Sequence, residues 1–179
     1  FAANLDQLLV LVAAEPVFSE SQLARALIAA EAAGIPAAIV LNKADLPAIE
    51  AARKRLAPYA AMGIAVHEMA LKARPGPRRE MLSPMLQGKA TLVLGPSGTG
   101  KSTLLFNLAL QDIERGAGVA VLDPHGDLVE SLLGCIPEER LDDVVLVDPA
   151  DPVAVVGVNL LEAESDVQRQ YLVSEICAM

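Results

Sequence analysis

The sequence predicts an α/β fold in which a largely parallel sheet carries helices on both faces, and three observations predict it. Apolar, β-branched runs recur without polar alternation, as in QLLVLVAA (7–14), PAAIVLNKAD (36–45) and ATLVLG (90–95), which is the pattern of strands buried on both sides. Helical patterns separate these runs, as parallel strands require. At one junction, Gly95 to Ser102 reads GPSGTGKS between an apolar run and a helix start. With 179 residues, 53% of them hydrophobic, the chain is long enough for one compact domain with a sizeable core.

The elements follow in order. QLLVLVAA is expected to be a buried strand. SESQLARALIAAEAAG (19–34) is a helix, with Ser19 or Ser21 at its start and Gly34 at its stop. PAAIVLNKAD is a second buried strand ending in polar residues, and PAIEAARKRLAPYAAMG (47–63) a second helix stopped at Gly63. IAVHEMA (64–70) is a short strand. The basic, proline-bearing LKARPGPRRE (71–80) is a loop, and EMLSPMLQGK (80–89) a short helix or turn. ATLVLG is a strand, and GKSTLLFNLALQDIERGAG (100–118) a helix closing on Gly116 and Gly118. VAVLD (119–123) and VVLVD (144–148) are expected as two further strands, with the helix DLVESLLGCI (127–136) between them. The Pro-rich stretch at 75–84 is the one linker-like segment.

GPSGTGKS fits G-x-x-x-x-G-K-[ST] in full and in the strand–loop–helix context that the motif needs, so the fold expected is of the P-loop nucleoside-triphosphatase type. Glycines let successive backbone N–H groups turn inward around an anion, and the helix N-terminus adds partial positive charge. The cradle residues are Gly95, Ser97, Gly98, Thr99, Gly100, Lys101, Ser102 and Thr103. Lys101 is placed to reach the β- and γ-phosphates, and the Ser102 hydroxyl to ligand Mg²⁺. These two are the expected catalytic residues. Upstream, LNKAD (41–45) follows a buried run and reads N-K-x-D. A carboxylate at Asp45 can accept from guanine N1–H and the exocyclic amine, a donor pair adenine lacks. Asn42 would hold the loop and the N7 edge, and the stem of Lys43 would lie over the base.

The order of these motifs, base reader before phosphate loop, resembles that of the circularly permuted GTPases of the RsgA (YjeQ) type. ANLDQ, NKADL and GKATLVLGPSGTGKSTL carry the resemblance over residues 2–105. HEMALK stands where that family places its second base-contacting loop, so the resemblance brings Ala70 and Lys72 to the guanine. It implies GTP and GDP as ligands with Mg²⁺, a role in late assembly of the 30S ribosomal subunit with rRNA contact, and a cytoplasmic location. Residues 1–94 are thus expected to form the guanine-recognition half of the domain.

Downstream of the loop the pattern changes. No threonine follows Thr103, whereas a GTPase switch closes through a threonine on Mg²⁺ and the γ-phosphate. Hydrolysis is therefore expected to be weak. LLFNLALQDIERGAGVAVLDPHGDLVESLLGCIPEERLDDVVLVDPADP, then VGVNLLE, resembles the ATPase domain of HerA and TraG-like DNA-translocating families over residues 95–179. That resemblance implies ATP, DNA and a ring homo-hexamer as the alternative. DPHG (123–126) satisfies D-x-x-G but lies only 22 residues after Lys101, so the match is read as fortuitous. Asp123 and Asp148 each end an apolar run, and either offers Mg²⁺ a carboxylate. His125 is read as a turn residue rather than a base. The two resemblances meet at the loop. A fusion there, a divergent GTPase or a chimeric join would each give this order, and the join fits best a chain expected to be truncated at both ends of a single domain spanning 1–179.

Net charge is −9 but uneven: 2 basic against 6 acidic side chains in residues 1–50, 9 against 2 in 51–103, and 3 against 15 in 104–179. The basic middle (Arg53, Lys54, Arg55, Lys72, Arg74, Arg78, Arg79, Lys89) is either a nucleic-acid patch or a solvated helix and linker, and the acidic total argues against nonspecific nucleic-acid binding. Cys135 and Cys177 have neither CxxC spacing nor a histidine cluster, which argues against zinc and for thiols in a reducing compartment. No apolar run approaches the roughly 20 residues of a membrane span.

Overall fold

The computed structural model describes residues 4–72 and 83–148. The chain divides into two compact units, Phe1–Pro137 and Glu138–Met179. Arg74, Arg78, Arg79 and everything from residue 149 onward, VGVNLLE included, lie outside the described residues.

The first unit is built on four parallel strands: β1 (Gln7–Ala13), β2 (Ala37–Asn42), β3 (Ala65–Glu68) and β4 (Thr91–Leu94), in the order β3-β2-β1-β4. β1 is central and buried at every position, which is why it reads as an unbroken apolar run. Its side chains alternate between two cores. Leu8, Val10 and Val12 face α1 (Glu20–Ala32) and α2 (Ile49–Ala61), meeting Leu23, Leu27, Ala30, Ile49, Ala52 and Leu56 together with Ile39 and Leu41 of β2. Leu9 and Leu11 face the other way, with Val40, Met69 and Leu104 of α4 (Lys101–Glu114), flanked by Met85 and Leu86 of the one-turn α3 (Ser83–Leu86). The register, Val10 beside Ile39 and Leu11 beside Val40, keeps each face continuous across the sheet. The α/β, P-loop-type fold with helices on both faces is therefore present.

Local signals set the helix ends. Ser19 caps α1, its hydroxyl accepting from the Gln22 N–H at 3.4 Å, and Gly34 and Gly63 follow α1 and α2 in the left-handed conformation. α2 carries Pro58 in its interior.

Topology places the functional end. From β1 the chain steps toward β2 and β3 with α1 and α2 on one face, whereas β4 lies on the other side of β1 and sends α4 across the opposite face. α1 and α2 pack on one core, and α3 and α4 on the other. The crevice beyond the carboxyl ends of β1 and β4 is thus the point where the winding reverses, the place where open α/β sheets bind ligands.

Two expected strands are corrected. VAVLD at 119–123 and VVLVD at 144–148 have no regular structure, and neither pairs with a strand among the described residues. Leu122 is 96% and Val145 87% exposed. An apolar run states that burial is favourable but does not supply the neighbouring edge and facing helix that a strand requires. α5 (Asp127–Leu133) is present as expected. In the second unit, Glu138–Asp143 form a 3-10 segment, with an ion pair between Arg140 and Asp143 at 3.4 Å.

Candidate nucleotide site

The phosphate loop leaves β4 at Gly95 and enters α4 at Lys101, with Gly98 (φ +79°) and Gly100 (φ +100°) in the left-handed region. Thr99, 1% exposed, secures the loop from inside: its hydroxyl donates to the Pro96 carbonyl at 2.9 Å. Lys101 arches back over the loop, Nζ donating to the Gly95 and Pro96 carbonyls at 2.5 and 2.9 Å. Ser97 and Ser102 are exposed and Thr103 is half-buried.

The N-K-x-D residues begin at the last position of β2, and the fold brings them to the same end of the sheet. Asn42 is 3% exposed and spends both ends of its amide on neighbouring loops. Its Nδ2 donates to the Thr99 carbonyl at 2.8 Å, and its Oδ1 accepts from the Leu71 N–H at 3.0 Å. Fifty-seven residues thus separate two segments that are hydrogen-bonded to each other. Gly100 permits the approach: a Cβ there would stand 2.5 Å from Asn42 Nδ2. Lys43 adopts φ +60° and its Nζ donates to the Glu15 carbonyl at 2.5 Å. Asp45 is exposed, so its carboxylate is open to a ligand.

The segment after β3 joins this group. The Ala44 N–H donates to the Met69 carbonyl at 2.8 Å, and Asn107 of α4, buried, donates Nδ2 to the Leu71 carbonyl at 3.3 Å. Ala70 is half-buried and Lys72 exposed beside these anchors. Three loops that are far apart in sequence are therefore one hydrogen-bonded unit, since each buried polar group needs a partner.

A fourth segment escaped the sequence reading. Residues 14–18, following β1, lie between base loop and phosphate loop. Ala14 N–H donates to the Asn42 carbonyl at 3.0 Å, Glu15 receives Lys43, and Pro16 Cδ lies 3.6 Å from where a Gly98 Cβ would be. Its position at the carboxyl end of the central strand was the available signal.

Asp123 is committed elsewhere. Its Oδ1 accepts from the His125 N–H at 3.1 Å and its Oδ2 from the Leu128 N–H at 2.8 Å, so it ties the turn that opens α5. Those N–H groups, His125 first, hold its carboxyl below the usual aspartate value. A carboxyl lowered in the folded state stabilises above its ordinary value near pH 3.8, and that contribution is lost as pH falls through the folded value. Asp123→Ala is expected to speed amide exchange in α5 at neutral pH while leaving β1 and β2 unchanged, and acidification of the unmodified chain should reproduce the effect.

The basic stretch is partly neutralised within the fold. Arg53 pairs with Glu68 at 2.6 Å and with Glu50, interactions that raise its already high pKa, Glu68 foremost. Arg55 pairs with Glu20 at 2.8 Å. Among the described residues no group of three or more His, Cys, Asp or Glu side chains is placed to hold a metal ion, and no helix is long and apolar enough to cross a membrane.

Comparison with known proteins agrees with this geometry. The chain is 56% identical over 115 residues to the small ribosomal subunit biogenesis GTPase RsgA of Paraburkholderia phytofirmans, a match covering 64% of this chain and 36% of that protein. It is 54% identical over 115 residues to the RsgA of Burkholderia pseudomallei strain 668, with the same coverage. The chain thus spans little more than a third of the length of these relatives. A crystal structure of YjeQ from Thermotoga maritima superposes with a TM-score of 0.52 at 28% identity, covering 59% of this chain and 38% of that one. The family model described as RsgA GTPase matches residues 1–121. That match runs through the phosphate loop and α4, where the translocase-like segment was expected to begin. With residues 1–121 of 179 matched, the chain belongs to the RsgA GTPase family.

Proposed function

We propose that residues 14–18, 42–45, 69–72 and 95–103 form a guanine-nucleotide site that binds GTP and GDP. The observation that carries this is the 2.8 Å hydrogen bond from Asn42 to the Thr99 carbonyl, because it ties the N-K-x-D loop directly to the glycine-rich loop, so that one nucleotide could touch both. In this reading Asp45 accepts from the guanine N1–H and amine, and the stem of Lys43, anchored at Glu15, flanks the base. Backbone N–H groups of Gly98 to Ser102 hold the phosphates. Lys101 has three donors, two of which serve the loop, so one remains for a phosphate oxygen.

The Ser102 hydroxyl is a hard oxygen on an exposed residue and suits Mg²⁺, which is held by few protein ligands together with nucleotide phosphates and water. Bound there, Mg²⁺ would neutralise phosphate charge. Asp123, tied to the α5 turn, has no part in this reading. We infer weak hydrolysis, supported by the lack of any threonine after Thr103. The base reader preceding the phosphate loop is the order of a circularly permuted GTPase. By analogy with relatives named for small ribosomal subunit biogenesis, the partner proposed is the 30S subunit and its rRNA, and the compartment the cytoplasm.

Nucleotide preference is the test. GDP is expected to bind at least about tenfold tighter than ADP, the discrimination available to a site whose buried or ligand-facing carboxylate is otherwise left unpaired. Asp45→Ala should remove the difference by weakening GDP alone, as read by titration calorimetry. Equal or ADP-favouring binding by the unmodified chain would overturn the guanine reading. Lys101→Ala should weaken both nucleotides.

A further inference from the structure

We infer that Arg55, on the far side of the sheet from α4, is a positioning residue for the nucleotide site, acting through the loop at 14–18. This rests on the reading of the site as one for a guanine nucleotide.

The loop has two sides. Toward the site it supplies the Glu15 carbonyl that fixes Lys43 Nζ at 2.5 Å and the Pro16 ring that backs Gly98. Away from the site it is gripped by α2. The Arg55 guanidinium stacks over the Phe18 ring at 4.3 Å from its centroid, and its Nη2 donates to the Phe18 carbonyl at 2.8 Å. Its Nε donates to Glu20 Oε1 at 2.8 Å, at the first residue of α1. Tyr59, one turn further along α2, donates to the Glu20 carbonyl at 3.4 Å. One planar, charged group therefore fixes both the end of the loop and the start of the helix that follows, using the fork geometry that arginine has and lysine lacks. Phe18 is itself buried in the α1–α2 core, which makes its ring a rigid platform.

The consequence is a mechanical link. The short run from Phe18 back to Ala14 has its other end tied to Asn42 by the Ala14 N–H. With both ends held, Glu15 and Pro16 have one position, and the poses of Lys43 and Gly98 follow from it. With Arg55 removed, the Phe18 carbonyl loses this donor and the loop loses the clamp that joins its end to Glu20 and α2. Misplacement of positioning groups by an ångström is enough to move ligand affinity severalfold. The effect should fall on guanine more than on adenine nucleotides, because Lys43 belongs to the base reader.

The test compares Arg55→Ala and Arg55→Lys with Lys54→Ala, a neighbouring exposed cation of the same helix. Two readouts are used: amide hydrogen exchange, and GDP and ADP affinity. Arg55→Ala is expected to accelerate exchange in residues 14–18 and 95–100, with β1 and β2 unchanged, and to weaken GDP about fivefold with a smaller effect on ADP. Arg55→Lys, keeping the charge near Glu20 without the fork, should fall between, and Lys54→Ala should match the unmodified chain. Unchanged exchange at 14–18 in Arg55→Ala overturns the inference. So does faster exchange with unaltered GDP affinity, and so does uniform acceleration across the sheet, which would mark a purely structural role. An unmodified chain without preference for GDP would instead sink the reading of the site, a result visible before any variant is made.

Discussion

Gly95→Ala is expected to lower affinity for GDP and ADP alike by at least about tenfold, the scale of losing one hydrogen bond to a charged phosphate. A Cβ at residue 95 would overlap the Leu11 carbonyl oxygen and stand 3.0 Å from Thr99 Oγ1. Leu11 lies in the buried strand β1, paired with Val40 of β2 and just beyond the last β1–β4 pair, Val10 with Leu94. The obstacle is main chain and cannot rotate away, so the phosphate loop must move instead. Its displacement would strain the bond from Thr99 to Pro96 and the arch of Lys101 over residues 95 and 96. Stability should fall by about 1–3 kcal/mol, as overpacking of tight sites does, and thermal melting should register it as several degrees. Gly118→Ala is the control, since a Cβ there meets nothing within 4 Å. Nucleotide affinity unchanged in Gly95→Ala would mean that the loop does not hold the phosphates.

Asn42→Ala is expected to weaken GDP binding at least about tenfold and to destabilise the chain by about 2–4 kcal/mol, because it leaves the Thr99 carbonyl and the Leu71 N–H buried without these partners. The loss acts on three segments at once, since Asn42 is where base loop, phosphate loop and the 69–72 segment meet. Asn42→Asp separates geometry from chemistry. An aspartate keeps the shape and still accepts from Leu71, but its second oxygen would face the Thr99 carbonyl, acceptor against acceptor. Burial and that contact raise the pKa of the new carboxyl, so stability of Asn42→Asp should recover as pH falls and the group becomes a donor. Melting curves between pH 5 and 7 would show this, read against the unmodified chain; the unmodified Asn42 itself does not titrate. Equal stability of Asn42→Asp and the unmodified chain at neutral pH would remove the Asn42–Thr99 bond from the account.

Much of the site was legible because its chemistry is local. The G-x-x-x-x-G-K-S run carries its own backbone geometry, and N-K-x-D carries its donors and acceptors within four residues. The strands and helices of 7–68 and 91–114 follow the sequence period, and Ser19, Gly34 and Gly63 mark ends where local bonding requires them. Phe18 and Arg55, 37 residues apart, gave no such signal, nor did Asn107 meeting the Leu71 carbonyl across 36. Arg53 and Arg55 read as members of a basic stretch, yet Glu68 and Glu20 absorb them. Val119–Leu122 and Val144–Val147 read as strands on apolar content alone, and the fold gives them no partner among the described residues.

The sequence by itself determined the α/β class, the G-x-x-x-x-G-K-S and N-K-x-D motifs and their order along the chain. All of these depend on side-chain type and on backbone geometry within a few residues. Only the tertiary structure decided that the two motifs lie side by side. That outcome depends on β1 standing between β2 and β4, so that their carboxyl ends open on a common crevice at which Asn42 reaches Thr99. Strand order is set by which apolar faces can be buried together across the whole sheet, a balance of long-range contacts that no short stretch of residues contains.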